Sequence, residues 1–136
     1  MSKFIGLYNI RDIKPEDVNF VLATFLRGLY YGDSWFSKIP KQVFMENYKN
    51  VAEALVQKTT VKVACLKDDP DVIIGYSILS NDFQTIHYVY VKSAWRRKGI
   101  ARSLLPQFPT TVTHLTELGA ELVTKFKDVI FNPFKL

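Results

Sequence analysis

The sequence predicts a mixed α/β (α+β) domain with elements in the order βααβββαβαβ. Three observations carry this. Two early segments place apolar side chains at helical spacing: Val18, Val21, Leu22, Phe25 and Leu29, then Phe44, Tyr48, Val51 and Leu55. Three consecutive runs, 59–66, 72–80 and 83–92, are rich in β-branched and aromatic residues, which suit a pleated surface. The last run passes through a short basic turn into Ile100, Leu104 and Leu105, again at helical spacing.

Taken in order, residues 4–13 read as a first strand, with Tyr8 and Ile10 alternating against polar neighbours. Pro15 suits the first turn of a helix, and Glu16 and Asp17 complement its positive end. Gly32 is a stop signal for that helix. An aromatic loop follows, Tyr30 to Phe36, and Pro40 opens the second helix. The central strands are divided by turn chemistry at Asp68-Asp69-Pro70-Asp71 and at Asn81-Asp82. Pro106 and Pro109 end the third helix early. The β-branched stretch 110–116 is expected as a strand and 117–127 as a helix, despite Gly119. A short last strand is expected over 129–134, where Pro133 is tolerated at an edge.

The chain has 136 residues, enough for one domain with a single core. With 48% hydrophobic and 23% charged residues, it is globular rather than disordered. No apolar run is long enough to span a membrane, and the N-terminal residues lack the apolar region of a secretion signal. Cys65 is the only cysteine, so no intrachain disulfide forms. These points lead us to expect a cytoplasmic protein. No metal site is expected, because two histidines without nearby paired ligands make a poor zinc set. The net charge of +5 suits a polyanionic ligand. Part of it is concentrated in Lys92, Arg96, Arg97, Lys98 and Arg102, beside the strand-to-helix turn.

That turn is the most informative stretch. Tyr88 to Val91 is strand-like, Gly99 allows close backbone approach, and a helix begins behind it. A strand entering a helix this way presents unpaired N–H groups at the positive end of a helix dipole, a site for phosphate. The spacing Arg96-x-x-Gly99-x-Ala101 resembles the acyl-CoA signature of the GNAT superfamily of N-acyltransferases. The flanks resemble it too: an apolar strand ending Val-Tyr-Val, and Leu104-Leu105 in the helix. The element order is similar to that family from end to end, and the abbreviated C-terminal part resembles compact phage-borne members. The resemblance implies the GNAT fold, a mixed central sheet with helices on both faces, as a single acetyltransferase domain over residues 1–136.

The resemblance further implies transfer of an acetyl group from acetyl-CoA, as co-substrate, directly to an amine of a small molecule or protein. It assigns the pyrophosphate to backbone N–H groups of Arg97, Lys98, Gly99, Ile100 and Ala101, with charge from Arg96, Arg97 and Arg102. Gly99 is expected to leave room for the phosphate. The pantetheine would lie along Val89, Tyr90 and Val91 like an added strand. For removal of the amine proton, the candidate is His87, which titrates near neutrality as a free imidazole. Arylalkylamine-type members carry a matching His, whereas many others carry Glu where this chain has Thr85. The competing role for His87 is a hydrogen-bonded core residue. Strict alternation would put Thr85, His87, Val89 and Val91 on one face, and Ile86, Tyr88 and Tyr90 on the other.

Many members place a tyrosine on the fourth helix to protonate the thiolate, but no tyrosine follows Tyr90 here. His114 is expected to act structurally, with substrate binding as its other role. Tyr31, Asp33 and Trp35 are the candidate acceptor-binding residues, since aromatics with one carboxylate suit an amine. Two further readings compete: a GNAT-like module that binds CoA without turnover, and a basic nucleic-acid-binding domain. A homodimer is compatible with either enzyme or module, and no membrane partner is expected.

Overall fold

The computed structural model describes residues 7–136, so residues 4–6 of the expected first strand lie outside it. A six-stranded sheet runs in sequence order. β1 (Tyr8–Asp12), β2 (Thr60–Leu66), β3 (Ile73–Leu79) and β4 (Thr85–Val91) are antiparallel neighbours. β5 (Thr111–Val112) joins β4 in parallel, and β6 (Ile130–Phe131) joins β5 in parallel. Four helices connect them: α1 (Val18–Gly32), α2 (Lys41–Lys58), α3 (Ile100–Ser103) and α4 (Glu117–Lys125). No helix among the described residues is long and apolar enough to cross a membrane.

The start of α1 is set by Asp17. Its carboxylate accepts the Lys14 N–H at 2.8 Å and the Arg11 guanidinium at 2.6 and 3.2 Å, which ties β1 to the helix entry. The apolar stripe of α1 and α2 then covers one face of the sheet. Val21, Phe25, Leu29, Phe44 and Leu55 pack there against Val61, Val63, Tyr76, Ile78 and Tyr88. On the opposite face, Ile100 and Leu104 of the α3 region pack on Ala64 and Ile74. Leu122 of α4 packs there with Leu79, Ile86 and Val112. Helices thus cover both faces, as the family resemblance implies.

Strict alternation fails at two bulges. Ala64 pairs with Gly75 and Cys65 with Ile73, so Ile74 is the extra residue in β3. Ile78 pairs with Tyr88 and Leu79 with Ile86, so His87 is the extra residue in β4. An added residue in a period of two turns the following side chains over. Ile86 and Val89 therefore pack on the α3 and α4 side, whereas Tyr88 and Tyr90 pack on the α1 side. His87 does not share a face with Val89 and Val91; it lies with Lys58 and Thr59 at the end of α2. β5 is shorter than the expected 110–116, and its pairing with β4 stops at Ile86, where the bulge begins. Gly119 is explained by close approach: a Cβ there would lie 2.2 Å from the His114 carbonyl oxygen, so α4 sits against the segment that follows β5 only with glycine at the contact.

Candidate active site

β4 and β5 pair at Thr85–Thr111 and Ile86–Val112, and the Thr113 N–H reaches the Ile86 carbonyl at 3.1 Å. From Val89 onward, the β4 edge has no strand partner on that side among the described residues. The Lys92 N–H bonds the Ile74 carbonyl at 2.8 Å. Antiparallel pairs alternate in where their polar groups point. Tyr90 therefore bonds towards β3, while the backbone groups of Val89 and Val91 face the open edge. Arg96 Nε covers one of them, donating to the Val91 carbonyl at 3.0 Å.

The turn that follows is shaped by two residues in the left-handed region, Arg97 at φ 61° and Gly99 at φ 83°. Gly99 caps the start of α3, whose first N–H groups have no intrahelical acceptor. The helix is held from below. Ile100 and Leu104 are buried, and Ser77 Oγ donates to the Leu104 carbonyl at 2.8 Å. Ile100 therefore offers only its backbone to a ligand, while Arg96, Arg97 and Arg102 are exposed. A Cβ on Gly99 would meet no atom within 4 Å, so its positive φ requires glycine more than crowding does. Trp95 packs on the α3 side of the core.

A cavity of about 680 Å³ opens between the α1–α2 connection, the segment that follows β5 and the C-terminal residues. Asp33, Trp35, Phe36, Tyr48, His114 and Phe134 are among the residues lining it. Trp35 is 68% exposed. Asp33 is buried, and its Oδ1 accepts the N–H groups of Trp35 at 2.8 Å and Phe36 at 3.3 Å. Its carboxylate therefore shapes the loop as well as charging the wall. Tyr31 lies outside the cavity, where its hydroxyl accepts from Lys41 Nζ at 3.1 Å.

Behind the cavity runs a chain of polar side chains. Tyr48 Oη is 2.5 Å from His114 Nε2. His114 Nδ1 is 2.8 Å from Thr113 Oγ1 and 3.0 Å from the His87 carbonyl oxygen. Thr113 Oγ1 is 3.0 Å from His87 Nδ1. His87 lines a separate cleft of about 310 Å³, with Lys58, Thr59, Thr85 and Lys135. Burial holds both imidazoles neutral. His87 is lowered to about 4 by desolvation, then by His114 and Lys58, and His114 is lowered to about 4 by desolvation. The titration of His87 near neutrality expected from free imidazole is therefore corrected downward. Burial also pushes the Tyr48 phenol well above its usual range.

The structure brings Asp33 and Trp35 together on the large cavity but leaves His87 on the smaller cleft. Tyr48 and Thr113 escape sequence reasoning. Tyr48 reads as one of four stripe residues in the second helix, yet it is the one carrying a hydroxyl, and that is the available signal. Thr113 carries none, because a threonine in a β-branched strand is ordinary.

The model of the acetyltransferase (GNAT) family matches residues 29–108, which include the open edge and the turn. The chain belongs to this family. No curated protein matches it in sequence. Among solved structures, a candidate acetyl transferase from Pyrococcus furiosus is 16% identical over 92% of this chain and 81% of its own, with a TM-score of 0.55. A GCN5-related N-acetyltransferase from Rhodopseudomonas palustris is 17% identical over 73% of this chain and 61% of its own, with a TM-score of 0.51. The apo form of YjaB from Escherichia coli is 17% identical over 72% of this chain, with a TM-score of 0.51. The chain spans 61% of the length of YjaB. These likenesses establish the fold.

Proposed function

We propose that this chain transfers an acetyl group from acetyl-CoA directly to the amine of a small molecule or protein. The observation that carries this reading is the open edge of β4 at Val89 and Val91, leading through a single 3-10 turn, Ser93–Trp95, into the basic turn. Pantetheine amides find strand-like partners along such an edge, and a backbone N–H there polarises the thioester carbonyl. The pyrophosphate fits the N–H groups from Arg97 through Ala101, with Arg96, Arg97, Lys98 and Arg102 supplying positive charge around them. The acceptor fits the 680 Å³ cavity, where Trp35 and Asp33 suit a protonated amine. Tyr31 is left to the rim.

The test is a titration of acetyl-CoA against wild type and Gly99→Glu. A ligand at 100 times its dissociation constant stabilises the wild type by about 2.7 kcal/mol. Gly99→Glu sets a negative charge and a strained φ at the phosphate, so affinity is expected to fall at least tenfold, about 1.4 kcal/mol. Unchanged affinity in a folded variant removes the site. A second reading, a CoA-binding module without turnover, is favoured by one observation: both histidines near the cleft are weak bases, at about 4. CoA binding with no acetylation of any primary amine would select it.

A further inference from the structure

We propose that Tyr48, His114, Thr113 and His87 form a proton relay, which takes the acceptor amine's proton out of the large cavity and releases it to solvent in the smaller cleft. The proposal rests on the acetyl-transfer reading. One hydrogen assignment fits all four contacts. The His87 carbonyl can only accept, so His114 Nδ1, 3.0 Å away, carries the hydrogen. In a neutral ring the other nitrogen is then bare, and Tyr48 Oη must donate to His114 Nε2. Thr113 Oγ1 shares the His114 Nδ1 hydrogen and directs its own hydrogen to His87 Nδ1. His87 is left with its hydrogen on Nε2. No protein acceptor is found for that nitrogen among the described residues, and the ring lines the cleft. Every link is satisfied by one assignment, and all the donors point from cavity to cleft.

A weakly basic imidazole cannot store the proton of an alkylammonium, but a chain that passes protons on need not store one. The charges around it hold a proton at the cavity end and expel one from the cleft ring, so the inner transfers run uphill and the last step to water is favoured. Asp33 lines the cavity with Tyr48 and His114 and raises the proton affinity of His114. Lys58 and Lys135 face His87 in the cleft, where Asp82 also lies, and Lys58 disfavours a cation resting on the ring.

The step balances. An ammonium acceptor first gives one proton to solvent; the neutral amine nitrogen then bonds the thioester carbon, and its proton moves to Tyr48 Oη. The Tyr48 hydrogen moves to His114 Nε2, the His114 Nδ1 hydrogen to Thr113, the Thr113 hydrogen to His87 Nδ1, and the His87 Nε2 hydrogen to water. The carbon–sulfur bond breaks, with its electron pair on sulfur. The reversed chain leaves a bare His114 Nδ1 against the His87 carbonyl. A solvent proton returning along the same links restores the order and ends on the thiolate through Tyr48. One N–H is lost and one S–H is gained, and no fourth-helix tyrosine is needed.

Two measurements test this. Nitrogen-15 NMR of the chain's 2 histidines at pH 7 should show both rings neutral, with the hydrogen on Nδ1 of His114 and on Nε2 of His87. The opposite tautomer at either ring overturns the relay. In turnover with acetyl-CoA and primary amines, Thr113→Val should lower kcat by roughly 10²-fold. Its acceptor KM should stay within about threefold, and its solvent isotope effect should be smaller than that of wild type. Thr113→Ser should recover most of the rate. If Thr113→Val fails to fold, Tyr48→Phe should show the same loss. Wild-type kcat in a folded Thr113→Val ends the relay while acetyl transfer stands. No wild-type turnover with acetyl-CoA bound ends the transfer reading and the relay together.

Discussion

Gly28 shows how one residue's role depends on its neighbour across the core. In an exposed helix, replacing glycine by alanine gains about 1 kcal/mol. Here a Cβ on Gly28 would stand 1.8 Å from Tyr88 Oη, so the sign reverses. We expect Gly28→Ala to destabilise the protein by about 1–3 kcal/mol, as overpacking does. Because the colliding atom is a hydroxyl, Tyr88→Phe in the same background should recover part of the loss. Urea unfolding of wild type, the two single variants and the double variant gives the coupling, and a Gly28→Ala protein as stable as wild type would refute the contact. Asp33 gives a comparable lesson. The sequence marks it as a carboxylate for an amine, but two backbone N–H groups already hold its Oδ1.

At the scale of elements, the β4-turn-α3 unit was legible in the sequence, and its geometry was not. The run 88–91, the basic residues and Ile100 with Leu104 announced a strand, a turn and a helix. The extra residue at His87 and the left-handed backbone at Arg97 arise only when β4 is matched against β3 and the turn is closed. The role of Gly99 changes accordingly, from making room to adopting φ 83° in open space. We expect Gly99→Ala to cost about 1–2 kcal/mol, the penalty of a left-handed L-residue. Gly99→Asn should cost less, because asparagine visits this region more readily. Melting temperatures should fall in the order wild type, Asn, Ala. Equal values for all three would show that the turn relaxes freely.

For the whole molecule, the buried histidines link stability to pH. Each has a folded pKa of about 4 against 6.5 for the free group, because burial strips water from the charged form. Below 6.5 the unfolded chain takes up protons that the folded one refuses. Stability is therefore complete above about pH 6.5 and is lost as the pH falls towards 4, by up to about 1.4 kcal/mol per pH unit for each histidine. Asp17, held below the usual carboxylate range chiefly by Arg11, adds a loss in more acid solution. The urea midpoint should drop between pH 7 and pH 5, and a His87→Gln/His114→Gln variant should show a flatter profile. A wild-type midpoint independent of pH in that range would contradict the burial of these rings. The same shift moves any acid limb of activity that depends on His87 from near neutrality to about pH 4.

Local signals in the sequence determined the element order, the six strands and four helices, the burial of the α1 and α2 stripes, and the turn of the family motif. Hydrophobic period, proline, glycine and charge act over a few residues, so they are visible along the chain. Only the tertiary structure decided where β4 bulges, which way His87 faces, and that Tyr48, His114, Thr113 and His87 join across 66 and 26 residues of sequence. A register shift and a hydrogen-bonded chain are relations between distant segments. They exist only once the strands have paired and Tyr48 of α2 has met His114 beyond the end of β5.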